Sequence, residues 1–380
     1  MLTSSRKLAV LAVSVAAALV TAGCTSATSS GGAGGTSAAA QGDSACVAQA
    51  RQVVDVARQS PDIVMPDQPV DMSKAAGKNF WLIVVLTNQW TSAVMDAFRA
   101  AGQTAGVNVT IFDGQGSVNR WNEGVQQAIA QGADVIGLLG IDPSLVSQSL
   151  QEAKAAGIPV VNAISGNYDA PLVDGVFSNL SADYRKDGES LAAWMLADSG
   201  CSSDAVLLYG TGLPLWISMK EGAEQIYRRL CQSDCELTIE EVDTANASTE
   251  LERKTRTALT QNPDVGYLFP TWDSAVTFVE PAAAQIKPDT KIVSRDGLEQ
   301  ALELIRKGGM QKATVAMPPE SWIGWTILDE LARAVTGAQP SGIVIPTRLV
   351  DSTNVGTTNA DIWPSYQGFE ARYRSLWGLG

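Results

Sequence analysis

The sequence contains no histidine in 380 residues. That removes the usual general base near neutral pH and the commonest metal ligand, so hydrolase and metalloenzyme chemistry lose their ordinary parts. Positive charge is also scarce: 27 Lys+Arg face 40 Asp+Glu, a net charge of −13. An acidic surface repels phosphate backbones, so no nucleic acid partner is expected. Several fingerprints are missing too. There is no G-x-x-x-x-G-K-[ST] loop, so the chain is not a P-loop ATPase. Gly114-Gln115-Gly116 lacks the third glycine of a dinucleotide site. Ala163-Ile164-Ser165-Gly166 lacks the first glycine of a nucleophile elbow and has no histidine to serve it. No D-x-D-x-D-G calcium loop occurs. The expectation is a non-enzyme with no cofactor and no metal.

The length favours two domains. Residues 1–23 read as a signal peptide. Arg6 and Lys7 form a positive start and Leu8–Val20 an apolar run, shorter than the roughly 20 residues that span a bilayer. The run ends Val20-Thr21-Ala22-Gly23-Cys24, which resembles a bacterial lipobox with Cys24 as the lipidated mature N-terminus; Thr21 stands where Leu is usual. Removal of the signal leaves 25 Lys+Arg against 40 Asp+Glu, a balance of −15. Residues 24–45 are rich in Ser, Thr, Gly and Ala and read as a flexible tether. Residues 46–77 read as a short helix, with Val47, Ala50, Val54 and Ala57 at helical spacing, and an extended lead-in broken by Pro61, Pro66 and Pro69.

From Lys78 strands and helices alternate. Phe80–Leu86 is a continuous apolar run, as in a strand covered on both faces. A helix is predicted from about Ser92 to Ala105, ended by Gly106, and strands at Val107–Phe112, Val135–Leu139 and Ile158–Ile164. Asp142-Pro143 is a helix start, so Asp142 is a cap. Gly166–Tyr184 is polar. Helices and strands then alternate again from Arg185 to Met317. Helix Ser321–Thr336, a strand over Ile343–Val350 and a docked helix within Pro364–Trp377 complete the reading. Such alternation means right-handed βαβ units and parallel sheets.

Four segments carry a family resemblance: Gly132-Ala133-Asp134-Val135-Ile136, Ala155-Ala156-Gly157-Ile158-Pro159-Val160-Val161, Val293-Ser294-Arg295-Asp296-Gly297 and Lys312-Ala313-Thr314-Val315-Ala316-Met317-Pro318. With their order and spacing, residues 78–350 resemble the type I periplasmic binding proteins, and among them the ribose-binding-like sugar receptors of ABC importers. The resemblance implies an α/β fold of two doubly wound, Rossmann-like parallel-sheet lobes joined by a three-strand hinge. Lobe 1 is expected at 78–183 plus 318–343, lobe 2 at 184–317 plus 344–360, and a docked tail at 361–380. Hinge closure would trap a ligand.

Ligands of open parallel sheets bind at strand carboxyl ends. Sugars need flat rings against C–H faces and fixed polar groups for hydroxyls. In lobe 1 these positions give Asn88, Gln89, Trp90, Asp113 and Asn162. In lobe 2 they give Trp216, Trp272, Asp273, Arg295 and Asp296, with Trp322 just beyond Met317 and Trp121 as a secondary candidate. Asp296 fits the family position whose carboxylate pairs with sugar hydroxyls. A lone Asp after a strand is often a cap or turn residue, and a loop Trp is more often core. Trp81, Trp194, Trp325 and Trp377 are assigned to packing. Two departures argue against assuming ribose: Trp272-Asp273 stands where the family often has Asn-Asp, and Met317 where it often has Gln.

Beyond Cys24 there are four cysteines, and export permits disulfides. Cys231–Cys235 is the first choice, leaving Cys46–Cys201; three connectivities are possible, and Cys201–Cys235 is a rival. The expected protein is a monomeric, exported receptor, lipid-anchored on the outer face of the cytoplasmic membrane. It would pass a monosaccharide or sugar alcohol to an ABC permease. The alternative is a sensory receptor signalling to a membrane partner.

Overall fold

The computed structural model describes residues 37–231 and 235–379. The signal, Cys24 and the first part of the tether lie outside the described residues. Helix α1 (Ser37–Ala57) begins earlier than the sequence suggests, so residues 37–45 belong to a helix backbone and not to the tether.

An extended lead-in follows α1, with one tight turn at Met72–Lys74. The first lobe then alternates β1 (Asn79–Val84), α2 (Gln89–Ala105), β2 (Asn108–Asp113), α3 (Val118–Ala130) and β3 (Val135–Leu139). Helix α4 (Ser147–Ala155), β4 (Val160–Ala163) and β5 (Val176–Ala182) complete its first segment. The second lobe runs through α5 (Tyr184–Ser199), β6 (Asp204–Gly210), α6 (Pro214–Leu230), β7 (Leu237–Val242) and α7 (Ala247–Gln261). It continues with β8 (Val265–Pro270), α8 (Val276–Ile286), β9 (Lys291–Asp296), α9 (Glu299–Arg306) and β10 (Gln311–Ala316). The chain ends with α10 (Glu320–Thr336), β11 (Val344–Ile345), β12 (Arg348–Asp351) and α11 (Phe369–Leu376).

These strands form two six-stranded sheets, ordered β11-β5-β4-β3-β1-β2 and β12-β10-β9-β8-β6-β7. Every pairing is parallel except β10 with β12. The apolar run at residue 80 shows why each sheet is covered on both faces. Phe80, Leu82 and Val84 enter one core, and Trp81 and Ile83 enter another on the opposite face. Each such side chain contributes about 1.5–3 kcal/mol by leaving water.

Two predicted boundaries are corrected. The polar stretch after Gly166 hides β5, whose Ser178, Asn179 and Ser181 find buried partners. Ser178 donates to Glu330 at 2.6 Å, and Ser181 donates to the Gly166 carbonyl at 2.7 Å. The single strand expected over Ile343–Val350 is two strands broken at Pro346: β11 pairs with β5 in the first sheet and β12 with β10 in the second. The first lobe's sheet therefore reaches Ile345, two residues past the expected boundary.

The chain crosses between lobes at 182–184, 316–320 and 345–348. It also crosses at both ends. Helix α1 packs on α5 of the second lobe and is tied there by Cys46–Cys201, with Cα atoms 6.5 Å apart. The lead-in then returns to the first lobe, where the Gln68 carbonyl accepts from Arg333 of α10 at 2.6 Å. After β12 the tail likewise returns to α10: Trp377 stacks on Trp325 with centroids 5.2 Å apart, and its indole N–H donates to Asp329 at 2.8 Å. Cys231 pairs with Cys235, so the described bonds follow the first-choice connectivity.

Candidate functional site

The carboxyl ends of the two sheets face each other across a cleft. A cavity of ≈ 300 Å³ lies there, walled by Asn88, Gln89 and Trp90 of the first lobe, Trp216, Trp272, Arg295 and Asp296 of the second, and Met317 of a crossover. Seven of the eleven predicted ligand residues are thus brought together.

Two of the aromatic positions are set by helix starts. Asn88 caps α2: its Oδ1 accepts from the Thr91 N–H at 2.9 Å while Thr91 Oγ1 accepts from the Asn88 N–H at 2.8 Å. This capping box starts the helix at Gln89, three residues earlier than expected, and puts Trp90 in its first turn. It also engages Asn88 Oδ1, so the amide Nδ2 is what Asn88 can offer a ligand. Pro214 opens α6 and places Trp216 in that helix's first turn. Gly210 at the end of β6 makes room for it: a Cβ there would lie 2.6 Å from the indole. Trp216 and Trp272 lie with centroids 5.0 Å apart at 33°, forming one aromatic wall.

Arg295 is the most constrained polar group. It is 3% exposed, its guanidinium lies 4.6 Å from the Tyr184 ring centroid, and its Nη1 donates to Asp296 at 3.0 Å. Nε approaches Asp187 at 3.4 Å, and Asp187 accepts from Thr347 Oγ1 at 2.5 Å. Nη2 has no hydrogen-bond partner among the described residues. A buried guanidinium nitrogen without an acceptor is costly, and a ligand oxygen would satisfy it. Arg295 also touches the hinge. Tyr184 opens the chain after the first crossover, Thr347 lies in the third, and the Asp296 carbonyl accepts from Met317 N–H of the second at 3.1 Å.

Asp296 sits at φ 137°, outside the usual range for a residue with a Cβ. Burial pushes its carboxyl up to about 7; the Arg295 charge pulls it down and Asp273 adds to the rise. Burial likewise lifts Asp187 to about 6 against the pull of Arg295.

The other predicted residues lie elsewhere. Asp273 is buried behind the site, accepting from Thr314 Oγ1 at 2.9 Å, the Leu298 N–H at 2.8 Å, Gln311 and Ser294. It fixes the turn that presents Asp296 and does not line the cavity. Asn162 is spent within lobe 1, donating to Asn179 and accepting from Ser165, both at 2.9 Å. Asp113 accepts from the Gln115 N–H at 3.0 Å, a turn role, and Asp142 caps its helix through Ser144. Trp322 is fully buried edge-on to Tyr366. Trp121 is core, with its indole donating to the Val85 carbonyl at 2.9 Å. Among the lining residues not selected are Leu213, Leu215, Leu298 and Gln300, together with Met317. Met317 directly follows β10 and falls under the same strand-end rule. Beside the cavity the lobes already touch, the Leu215 N–H donating to the Ser165 carbonyl at 3.2 Å.

Comparison with known proteins agrees with this architecture. Residues 80–339 match a family described as a periplasmic binding protein domain. The ribose import binding protein of Bacillus subtilis is 24% identical over 240 residues, 63% of this chain and 75% of that protein. An ABC transporter solute-binding protein from Bacillus halodurans with bound myo-inositol superposes with a TM-score of 0.66 at 17% identity, covering 76% of this chain and 99% of that one. The fructose-binding periplasmic domain of a hybrid two-component system gives a TM-score of 0.66 at 18% identity, covering 80% and 98%.

Proposed function

The chain belongs to the periplasmic binding protein family, and from that premise we propose that it is the extracytoplasmic solute-binding protein of an ABC importer. Its ligand is a small carbohydrate, a monosaccharide or sugar alcohol, captured by hinge closure and delivered to a membrane permease. The observation that carries this reading is the pairing of the Trp216–Trp272 wall with Arg295 and Asp296 in one interlobe cavity. A sugar ring lays its C–H face on the indoles, which supply contact area at little rotamer cost. Its hydroxyls donate to Asp296 and accept from the unpartnered Arg295 Nη2, both charge-assisted bonds. Asn88, Gln89 and Trp90 approach from the first lobe, and closure excludes water from these contacts. The ligand stabilises the closed form only through contacts it makes with both lobes together.

The protein is exported and held by lipid at Cys24, as a monomer on the outer face of the membrane. Each acyl methylene contributes about 0.8 kcal/mol, and two or more chains give stable anchoring. The chain performs no catalysis. A sensory role is the second reading, favoured by the likeness to a two-component receptor domain; co-purification with a permease or with a kinase separates the two. The carbohydrate reading is tested by thermal shift against sugars, polyols and nucleosides. A clear rise in melting temperature with a sugar or polyol is expected. No shift with any of them would overturn the reading.

A further inference from the structure

The cleft does not end at the Trp216–Trp272 wall. A second cavity, of ≈ 460 Å³, opens beside the first and shares Gln89, Trp90, Asp296, Leu298 and Met317 with it. Its far wall is Ile362 and Trp363, from the C-terminal segment beyond the family-matched residues. Its charged lining is acidic: Asp296, Glu299 and Glu320, with no Lys or Arg. Glu299 is paired with Arg306. Glu320 begins α10, is partly buried and has no ion pair among the described residues. Arg295, buried and with Nη2 unpartnered, anchors the other end of the same cleft.

From this continuity we infer that the cleft takes a ligand longer than one ring: a disaccharide or glycoside whose second unit occupies the cavity between Trp90, Glu320 and Trp363. This rests on the carbohydrate reading and extends its ligand from a single monosaccharide or sugar alcohol unit to two linked units. The first cavity alone is at the small end of the range for ligand sites, and the second is the larger of the two. Aromatic edges and carboxylate acceptors suit a ring that carries hydroxyls. Arg295 and Arg306 offset the charges of Asp296 and Glu299, but no cation offsets Glu320 among the described residues, so its carboxylate repels an anionic unit and disfavours uronic acids and sugar phosphates at the second position. The C-terminal segment thus acts as a specificity element, closing one end of the cleft.

The experiment is calorimetric titration of the purified, oxidised protein. The probes are maltose, cellobiose, lactose, melibiose, sucrose and trehalose, their constituent monosaccharides, and a uronic-acid-containing disaccharide. At least one neutral disaccharide should bind about tenfold more tightly than either of its monosaccharides. Glu320→Gln, nearly isosteric, should cut that preference several-fold, by roughly the strength of a charge-assisted hydrogen bond. Trp363→Phe should reduce it too while keeping the tail packed. Monosaccharides binding as tightly as every disaccharide would overturn the second subsite and leave the carbohydrate reading standing. Tighter binding of the uronic-acid disaccharide would overturn the acidic subsite. If no sugar of either size binds, the carbohydrate reading itself fails and the subsite with it.

Discussion

Two tryptophans of the second lobe, one after a strand and one inside a helix, have opposite roles. Trp272 faces the cleft and meets Trp216; Trp194 is buried, donates to Asp351 at 2.8 Å and lies edge-on to Tyr267. Trp272→Ala should weaken sugar binding by about 2 kcal/mol or more, as expected of a central aromatic contact. Trp194→Ala should cost about 3–5 kcal/mol of stability with little change in affinity. Paired titration and denaturant curves check this, and equal affinity losses would remove Trp272 from the site. Asp296 supports a second residue-level prediction. Burial, opposed by Arg295, places its carboxyl at about 7 in the free protein. Only the ionised form is a full acceptor for sugar hydroxyls, so ligand and proton compete. Affinity should be greatest above pH 7 and fall as pH drops through 7, approaching about tenfold per unit well below it. Asp296→Asn should flatten the slope. A wild-type affinity constant between pH 6 and pH 8 would show that Asp296 does not bind as a carboxylate.

At the scale of elements, what was legible followed the strength of local pattern. The apolar run at Phe80, the Asp142-Pro143 start and the Gly106 stop, at φ 70°, are written in consecutive residues. The parallel sheets and the two lobes follow from their alternation. Strand β5 was not legible because tertiary partners, above all Glu330 on a helix 152 residues away, satisfy its polar side chains. Strands β11 and β12 read as one because nothing local marks the change of sheet except Pro346. The site divided in the same way. The strand-end rule found Trp90, Trp216, Trp272, Arg295 and Asp296 because it depends only on topology. It could not separate Asp296 from Asp273, since both fall at the carboxyl ends of strands. The difference lies in the four donors that converge on Asp273 from Ser294, Leu298, Gln311 and Thr314. Asn162 failed for the same reason: its partner Asn179 lies on the unseen β5.

For the whole molecule, the hinge has more strands than the three crossovers expected. The lead-in and the tail also pass from lobe to lobe, and they run together: Ser365 donates to the Pro61 carbonyl at 3.1 Å, and the Val70 N–H to the Leu376 carbonyl at 3.1 Å. Arg348 of β12 holds both, donating to the Arg58 and Ile362 carbonyls at 2.8 and 2.5 Å. Opening must bend five strands while keeping these contacts, so the range of motion is set partly by how firmly the lead-in is fixed at its far end. That end is α1, bonded through Cys46 to Cys201 across 155 residues of chain. Replacing both cysteines by serine should lower stability by about 2–4 kcal/mol, mainly by freeing the unfolded chain. It should also loosen the lead-in and let the unliganded lobes open wider. Small-angle scattering with and without the tightest-binding sugar then reads the effect: the contraction on binding should be larger in the double variant than in the wild type. Equal contraction, with the stability loss still present, would mean that the three inner crossovers alone limit opening and that the disulfide serves only the fold.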